Sequence, residues 1–325
     1  MIEHLPLIWA GIISFVILCY TVLDGFDLGV GINFILFHDE ADRDIMMNSI
    51  APVWDGNETW MILGAACLYA AFPQAFSTIL PYLYMPLSMM VFFLIFRGVC
   101  FEFRFKDENH KRFWSICFSS SSFAIAFLQG YILGNVLIGV NGQGQHLSLL
   151  SFIAGLGVIV GYSLLGLTWL IRKTVDKQQD TAFKYARVNA FLLAGIFAII
   201  SLISPLSSEH IYNRWFSFPE VYYLVLLPLI SCIIFLLLIK FINQRNEKQP
   251  FRMTILLFLL GYIGQCYSIW PYIVPYQITF YQAASPAASL IFMLIGIALL
   301  LPILIGYTLY TYYTFKGKTH EEHYH

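Results

Sequence analysis

Nine long stretches of the chain are almost wholly apolar: about 7–36, 48–72, 77–103, 113–138, 149–171, 187–205, 220–242, 252–273 and 288–315. A helix needs about 20 such residues to cross the hydrocarbon core of a bilayer. This pattern constrains the chain more than any other feature. It dictates an all-α integral membrane protein of about nine transmembrane helices, a single polytopic domain over residues 1–325. Composition agrees, with 59% hydrophobic and 11% charged residues, where a soluble domain carries about a quarter charged. The breaks between stretches are rich in Pro, Gly and charge, as turns require. Two stretches fit less well: the first is interrupted by "LDGFDLGVG", and the sixth is short.

The basic residues orient the chain. Alternate connections hold one, five, five and four Lys or Arg, and the tail holds two, so 17 of the 18 fall on one side. Only Arg214, between the sixth and seventh stretches, falls on the other. The positive-inside rule then puts the N-terminus outside and the C-terminus in the cytoplasm. "MIEHLPLIWAG" has no basic residue before its apolar run, so the first span is read as uncleaved rather than as a signal peptide. A formal net charge of −1 supplies no field for nucleic acid. The six cysteines form no C-x-x-C pair and read as small buried hydrophobes.

Charge inside the spans is costly, about 2.5–3.5 kcal/mol for an acid at the bilayer centre on insertion scales. Five charged residues nevertheless lie there: Asp24 and Asp27, Asp55 and Glu58, and Arg97. Each acid pair is spaced i,i+3 and so shares a helix face. With a rise of roughly 1.5 Å per residue, all five fall in the cytoplasmic half. Two readings stand. In one, Arg97 neutralises one or two carboxylates and the others reach back to the interface. In the other, the surplus of acids over bases relays protons from the cytoplasm toward a centre elsewhere, since an unpaired carboxyl in a low-dielectric site can hold and release a proton.

No redox centre is visible on the chain. A haem held between helices is most often ligated by His, yet His4, His38, His110, His146, His210, His320, His323 and His325 all lie in loops, span edges or the tail. The tail "HEEHYH" reads as solvated rather than as a metal site. The run Ser119 to Ser122 reads as close helix packing, and "GNVLIGVNGQGQ" as a glycine-rich outer turn.

Four blocks, "YTVLDGFDLGVGINFIL", "NSIAPVWDGNETW", "FFLIFRGVCFEFRFK" and the late "PYIVPYQITFYQAASPAASLIFMLIG", carry a resemblance. They resemble subunit II of cytochrome bd-type quinol oxidases, including the cyanide-insensitive branch. The resemblance runs from the first span to the last. It implies two four-helix bundles, over 1–140 and 149–273, plus a peripheral helix over 288–315. It implies a heterodimer in the bacterial plasma membrane with a haem-bearing subunit I, which holds haems b and d or b alone, and it admits a small third subunit. The chain itself would carry no cofactor, although some members' second subunit holds a structural quinone. Together the pair would oxidise quinol and reduce O2 to water with protons from the cytoplasm. The acid of the W-D-G-N block, here Asp55, would lie on the proton path. Glu58, Asp24, Asp27 and Arg97 would complete the polar cluster, and Gly25, Trp54, Gly56, Asn57 and Trp60 would shape it. Two departures stand out. Gln282 occupies a position where an acid is expected, and the outer connection 206–219 is short. The alternatives are a purely structural subunit holding lipid or quinone, and a secondary transporter whose broken helix would be "LDGFDLGVG".

Overall fold

The computed structural model describes residues 2–139 and 148–319. His146, most of the expected glycine-rich turn beyond Gly139 and the "HEEHYH" tail lie outside them. The chain is built from α1 (Leu5–Ile32), α2 (Glu40–Ile50), α3 (Trp54–Ala71), α4 (Pro73–Tyr82), α5 (Tyr84–Lys106), α6 (Lys111–Ile138) and α7 (Leu149–Lys173). There follow α8 (Asp176–Ser207), α9 (Glu209–Phe216), α10 (Val221–Leu224), α11 (Leu226–Asn243) and α12 (Gln249–Ile269). A small hairpin of β1 (Tyr272–Val274) and β2 (Ile278–Thr279) precedes α13 (Phe280–Ala283) and the last helix, α14 (Ala287–Thr314). Among the described residues eight helical segments are long and apolar enough to cross a membrane. The α3–α4 pair makes a ninth if taken as one span.

The boundaries depart from the sequence expectation in four places. The stretch 48–72 is not one helix: α2 ends at Ile50, Ala51–Val53 turn, and α3 starts at Trp54. The chain then bends by 119° between α3 and α4. Pro73 disfavours helical backbone at the residue before it, and Phe72 indeed adopts φ −133°, ψ 62°. Residues 77–82 therefore belong to α4 rather than to the next span. The sixth stretch is short only in its apolar part, because α8 runs helically from Asp176. At the end of the eighth, Pro271 stops α12 and residues 272–274 are extended.

"LDGFDLGVG" does not break α1, which is continuous through Ile32. Its glycines are contact points. A Cβ on Gly29 would lie 1.8 Å from the Tyr162 carbonyl oxygen, and one on Gly166 would lie 2.3 Å from the Gly29 carbonyl carbon. The two backbones thus touch, as small residues permit in membrane helices. Gly130 and Gly134 of α6 meet α7 at Ala154 and Ser151 in the same way, and Ser122 sits against Gly31. Helix α7 is consequently central, in contact with α1, α6, α8 and α12. Helix α14 packs on α1 and α3. The six cysteines are free; Cys67 and Cys100 are buried, whereas Cys232 is exposed on α11. Gln282 closes a capping box on α13, with its Oε1 accepting from the Thr279 N–H at 2.9 Å. An amide serves that cap as well as an acid does.

The end rich in Lys and Arg is locked by ion pairs. Fully buried Arg104 donates to Ser115 at 2.8 Å, Asp44 at 2.6 Å and Glu40 at 3.0 Å, and Lys111 reaches Asp44 at 2.6 Å. These contacts tie α2 to α5 and α6. Partial burial works against the Glu40 carboxylate, but the Ser115 hydroxyl, Arg43 and Arg104 outweigh it and hold its pKa below the ordinary value.

Two predictions follow from this packing. Gly166→Ala forces α1 and α7 apart and destabilises the protein by about 1–3 kcal/mol or more, read as a lower thermal midpoint and yield. Gly195→Ala, whose new methyl meets nothing within 4 Å, leaves both unchanged or slightly raised. For Glu40, a lowered folded-state pKa means stability that is present above about pH 4.5 and lost as pH falls through the folded value. Glu40→Gln therefore lowers the midpoint at pH 7, and the gap from the parent protein shrinks below about pH 4.

Candidate functional site

Four of the five intramembrane charges converge. Asp24 of α1, Arg97 of α5 and Glu58 of α3 form a line: Arg97 Nη1 lies 2.8 Å from Asp24 Oδ1, and Arg97 Nη2 lies 3.2 Å from Glu58 Oε2. Asp24 and Arg97 are wholly enclosed, while the Glu58 side chain is 23% exposed. Asp27, one turn along α1, accepts at 2.7 Å from the Asn57 side-chain amide. Asn57 also donates to the Leu23 carbonyl at 3.2 Å and accepts from the Tyr312 hydroxyl at 2.9 Å. One side chain thereby joins α1, α3 and α14. Removing a charge from water costs several kcal/mol even after relaxation, and only close pairing and hydrogen bonding offset that. The sequence supplies that pairing by placing one arginine where two acids can reach it.

Asp55 stands apart. It is exposed, and no ion pair reaches it among the described residues. It sits three residues before Glu58 on α3, hence about one turn away on the same side. Trp54 stacks on Phe101 with ring centroids 4.8 Å apart, and Glu102 lies within electrostatic reach of Asp55. The start of α3 and the end of α5 therefore present two carboxylates on one exposed flank.

The other residues of the motif have definite places. Trp60 is buried against Val16 and Tyr20. Gly25 leaves room for the Tyr162 ring, which a Cβ would approach to 2.7 Å. Gly56 faces Tyr307 of α14, where a Cβ would find ordinary contact at 3.6 Å.

Sequence reasoning missed two parts of the site. Tyr312 looked like one more aromatic in a tyrosine-rich last span. Beyond Asp24, the Tyr162 hydroxyl donates to Gln129 at 2.6 Å and the Gln129 amide donates to the Tyr20 hydroxyl at 2.6 Å. This polar chain crosses from α7 through α6 to α1. Gln129, an amide in the middle of an apolar run, was its available signal. Among the described residues no group of three or more His, Cys, Asp or Glu is arranged to hold a metal ion. His4, His38, His110 and His210 all lie outside the long helices or in short segments at their ends.

The chain is similar to known proteins over nearly its whole length. The family model for "Cytochrome bd terminal oxidase subunit II" matches residues 5–315. Cytochrome bd ubiquinol oxidase subunit 2 of Bacillus subtilis is 27% identical over 336 residues, covering 97% of each chain. Cytochrome bd-I ubiquinol oxidase subunit 2 of Escherichia coli K12 is 26% identical over 365 residues, covering 98% of this chain and 96% of that one. A chain of the bd oxidase structure from Geobacillus thermodenitrificans superposes with a TM-score of 0.75 at 18% identity, over 93% of this chain and 97% of that one. Its fold is therefore shared. With the family's own pattern matched from the first helix to the last, the chain belongs to the cytochrome bd terminal oxidase subunit II family.

Proposed function

We propose that this chain is the haem-free half of a quinol oxidase heterodimer in the bacterial plasma membrane and that it gathers protons for the oxygen chemistry of subunit I. The haems implied for that partner would supply the reduction of O2 to water, a reaction that consumes protons. In this reading the Lys- and Arg-rich end faces the cytoplasm, as the positive-inside rule directs. Asp55 takes a proton there and hands it across the exposed α3–α5 flank. Glu58, partly exposed and one turn further along α3, is the next carboxyl. Arg97 holds Glu58 in position from the other side, and Asp24 balances Arg97. Asp24, Asp27 and Arg97 are thus positioning residues rather than carriers.

One observation carries the proposal. Of the five charged residues set into the spans, Asp55 is the exposed one that no ion pair reaches among the described residues. Asp24 is buried and Glu58 partly so, and each is held by Arg97, whereas the exposed Asp55 carboxylate is free to exchange a proton with its surroundings.

A second reading, a purely structural subunit, is favoured by the Asn57 junction of three helices. The transporter reading loses its basis, since it rested on a break in α1 that does not exist.

Two variants separate the readings. Asp55→Asn slows oxygen consumption per haem by about a hundredfold or more, the scale of a lost proton-transfer group, while the haem absorbance of the purified complex persists. If yield and haem content fall together with activity per haem unchanged, the structural reading stands instead. Arg97→Met strands two carboxylates and costs roughly 3–5 kcal/mol, so it lowers the amount of assembled complex whichever reading holds.

A further inference from the structure

A second polar site lies at the opposite end of the molecule from the basic connections. Helix α9 divides two adjoining cavities there. His210, Asn213 and Arg214 line a polar cavity of about 290 Å³, together with Glu220 and tyrosines of α12 and the hairpin. Ile211 and Trp215 face the other way, into an apolar cleft of about 590 Å³ between α8, α11 and α12. Ser268 lines both cavities, and its hydroxyl accepts the Trp215 indole N–H at 2.8 Å.

The polar cavity is electrically specific. Arg214 is the one Lys or Arg that the sequence assigns to this end. Its guanidinium donates to the Trp270 carbonyl and lies 5.3 Å from the centre of the Tyr267 ring. Those contacts fix its plane while using one of its five N–H donors. The His210 ring stacks on Tyr276 with centroids 4.5 Å apart and stiffens the neighbouring wall. Glu220 lines the same cavity, yet no ion pair joins it to Arg214. A separated cation and carboxylate therefore face one space. Exposed Phe218, Tyr222 and Tyr223 flank the lining residues Ser217 and Glu220 along the chain, and such aromatics favour the headgroup level of a bilayer.

We propose that this site binds one aminophospholipid. The phosphodiester accepts from Arg214, the primary ammonium donates to Glu220, and an acyl chain lies in the apolar cleft beyond α9. The pairing selects the class of ligand. A lipid bearing a phosphate and no amine leaves Glu220 facing like charge. A quaternary ammonium has no N–H to give a carboxylate. A quinone, uncharged, engages neither group and would occupy the cleft alone. The site is independent of the carboxylates at the other end and of what they do.

The test uses the purified oxidase complex in nanodiscs of equimolar phosphatidylethanolamine and phosphatidylglycerol, with retained lipid counted by native mass spectrometry. The parent complex is expected to hold one phosphatidylethanolamine on this subunit. Glu220→Gln removes the ammonium acceptor from an exposed side chain and leaves Arg214 in place, so preference shifts toward phosphatidylglycerol by at least about tenfold. Arg214→Gln loses both lipids. Retention of phosphatidylglycerol, a quinone or no lipid by the parent complex overturns the proposal. So does an unchanged preference in Glu220→Gln, a variant whose fold is checked by its haem spectrum.

Discussion

Everything near the candidate site depends on a single arginine that cannot be solvated. Arg97 is buried in the interior of a membrane protein, where its charge is tolerable only beside opposite charge. Asp24 supplies that charge from α1 at 2.8 Å and Glu58 from α3 at 3.2 Å. Three helices are thereby held in one register. Slipping any of them by a residue would rotate its charge by roughly 100° about the helix axis and leave an ion unpaired in an apolar surrounding. The pairing is less a source of stability than a condition the packing must meet.

That condition is compatible with the fold because α1 and α7 approach closely. Gly29 and Gly166 let the two backbones touch. Asn33 then donates to the Gly29 carbonyl at 2.7 Å and the Ser163 carbonyl at 2.8 Å, so polar groups at the crossing are satisfied by each other. The glycine-rich stretch that looked like an interruption is the most tightly packed part of the helix. Its small residues serve the neighbour, not the backbone's freedom to bend.

The two ends of the molecule use charge differently. At the basic end the ions are numerous and mutually paired, as around Arg104, and Asp55 is left out of the pairing. At the other end one arginine and one glutamate face a shared cavity without meeting. In the proposed roles, each of these unpaired charges serves something outside the chain. For Asp55 that reading is a proton and a partner subunit; for Arg214 and Glu220 it is a lipid headgroup.

What the sequence determined by itself was an all-α membrane fold of about nine spans and which residues would be the costly ones. Both follow from a solvent that tolerates neither exposed backbone nor isolated charge: long apolar runs must be helices, and an acid inside one must find company. Membership of the family was legible in the blocks around Gly25 and Asp55 for the same reason, since few chains place acids there. Tertiary structure alone decided which acids pair. It brought Asp24 and Glu58 to Arg97, gave Asp27 to Asn57, which Tyr312 holds from α14, and left Asp55 on an exposed flank beside Glu102. It also turned the Pro73 junction into a 119° bend. Those outcomes depend on helix rotation and on contacts between residues far apart in the chain, such as Asn57 and Tyr312, which no local pattern of apolar and polar residues encodes.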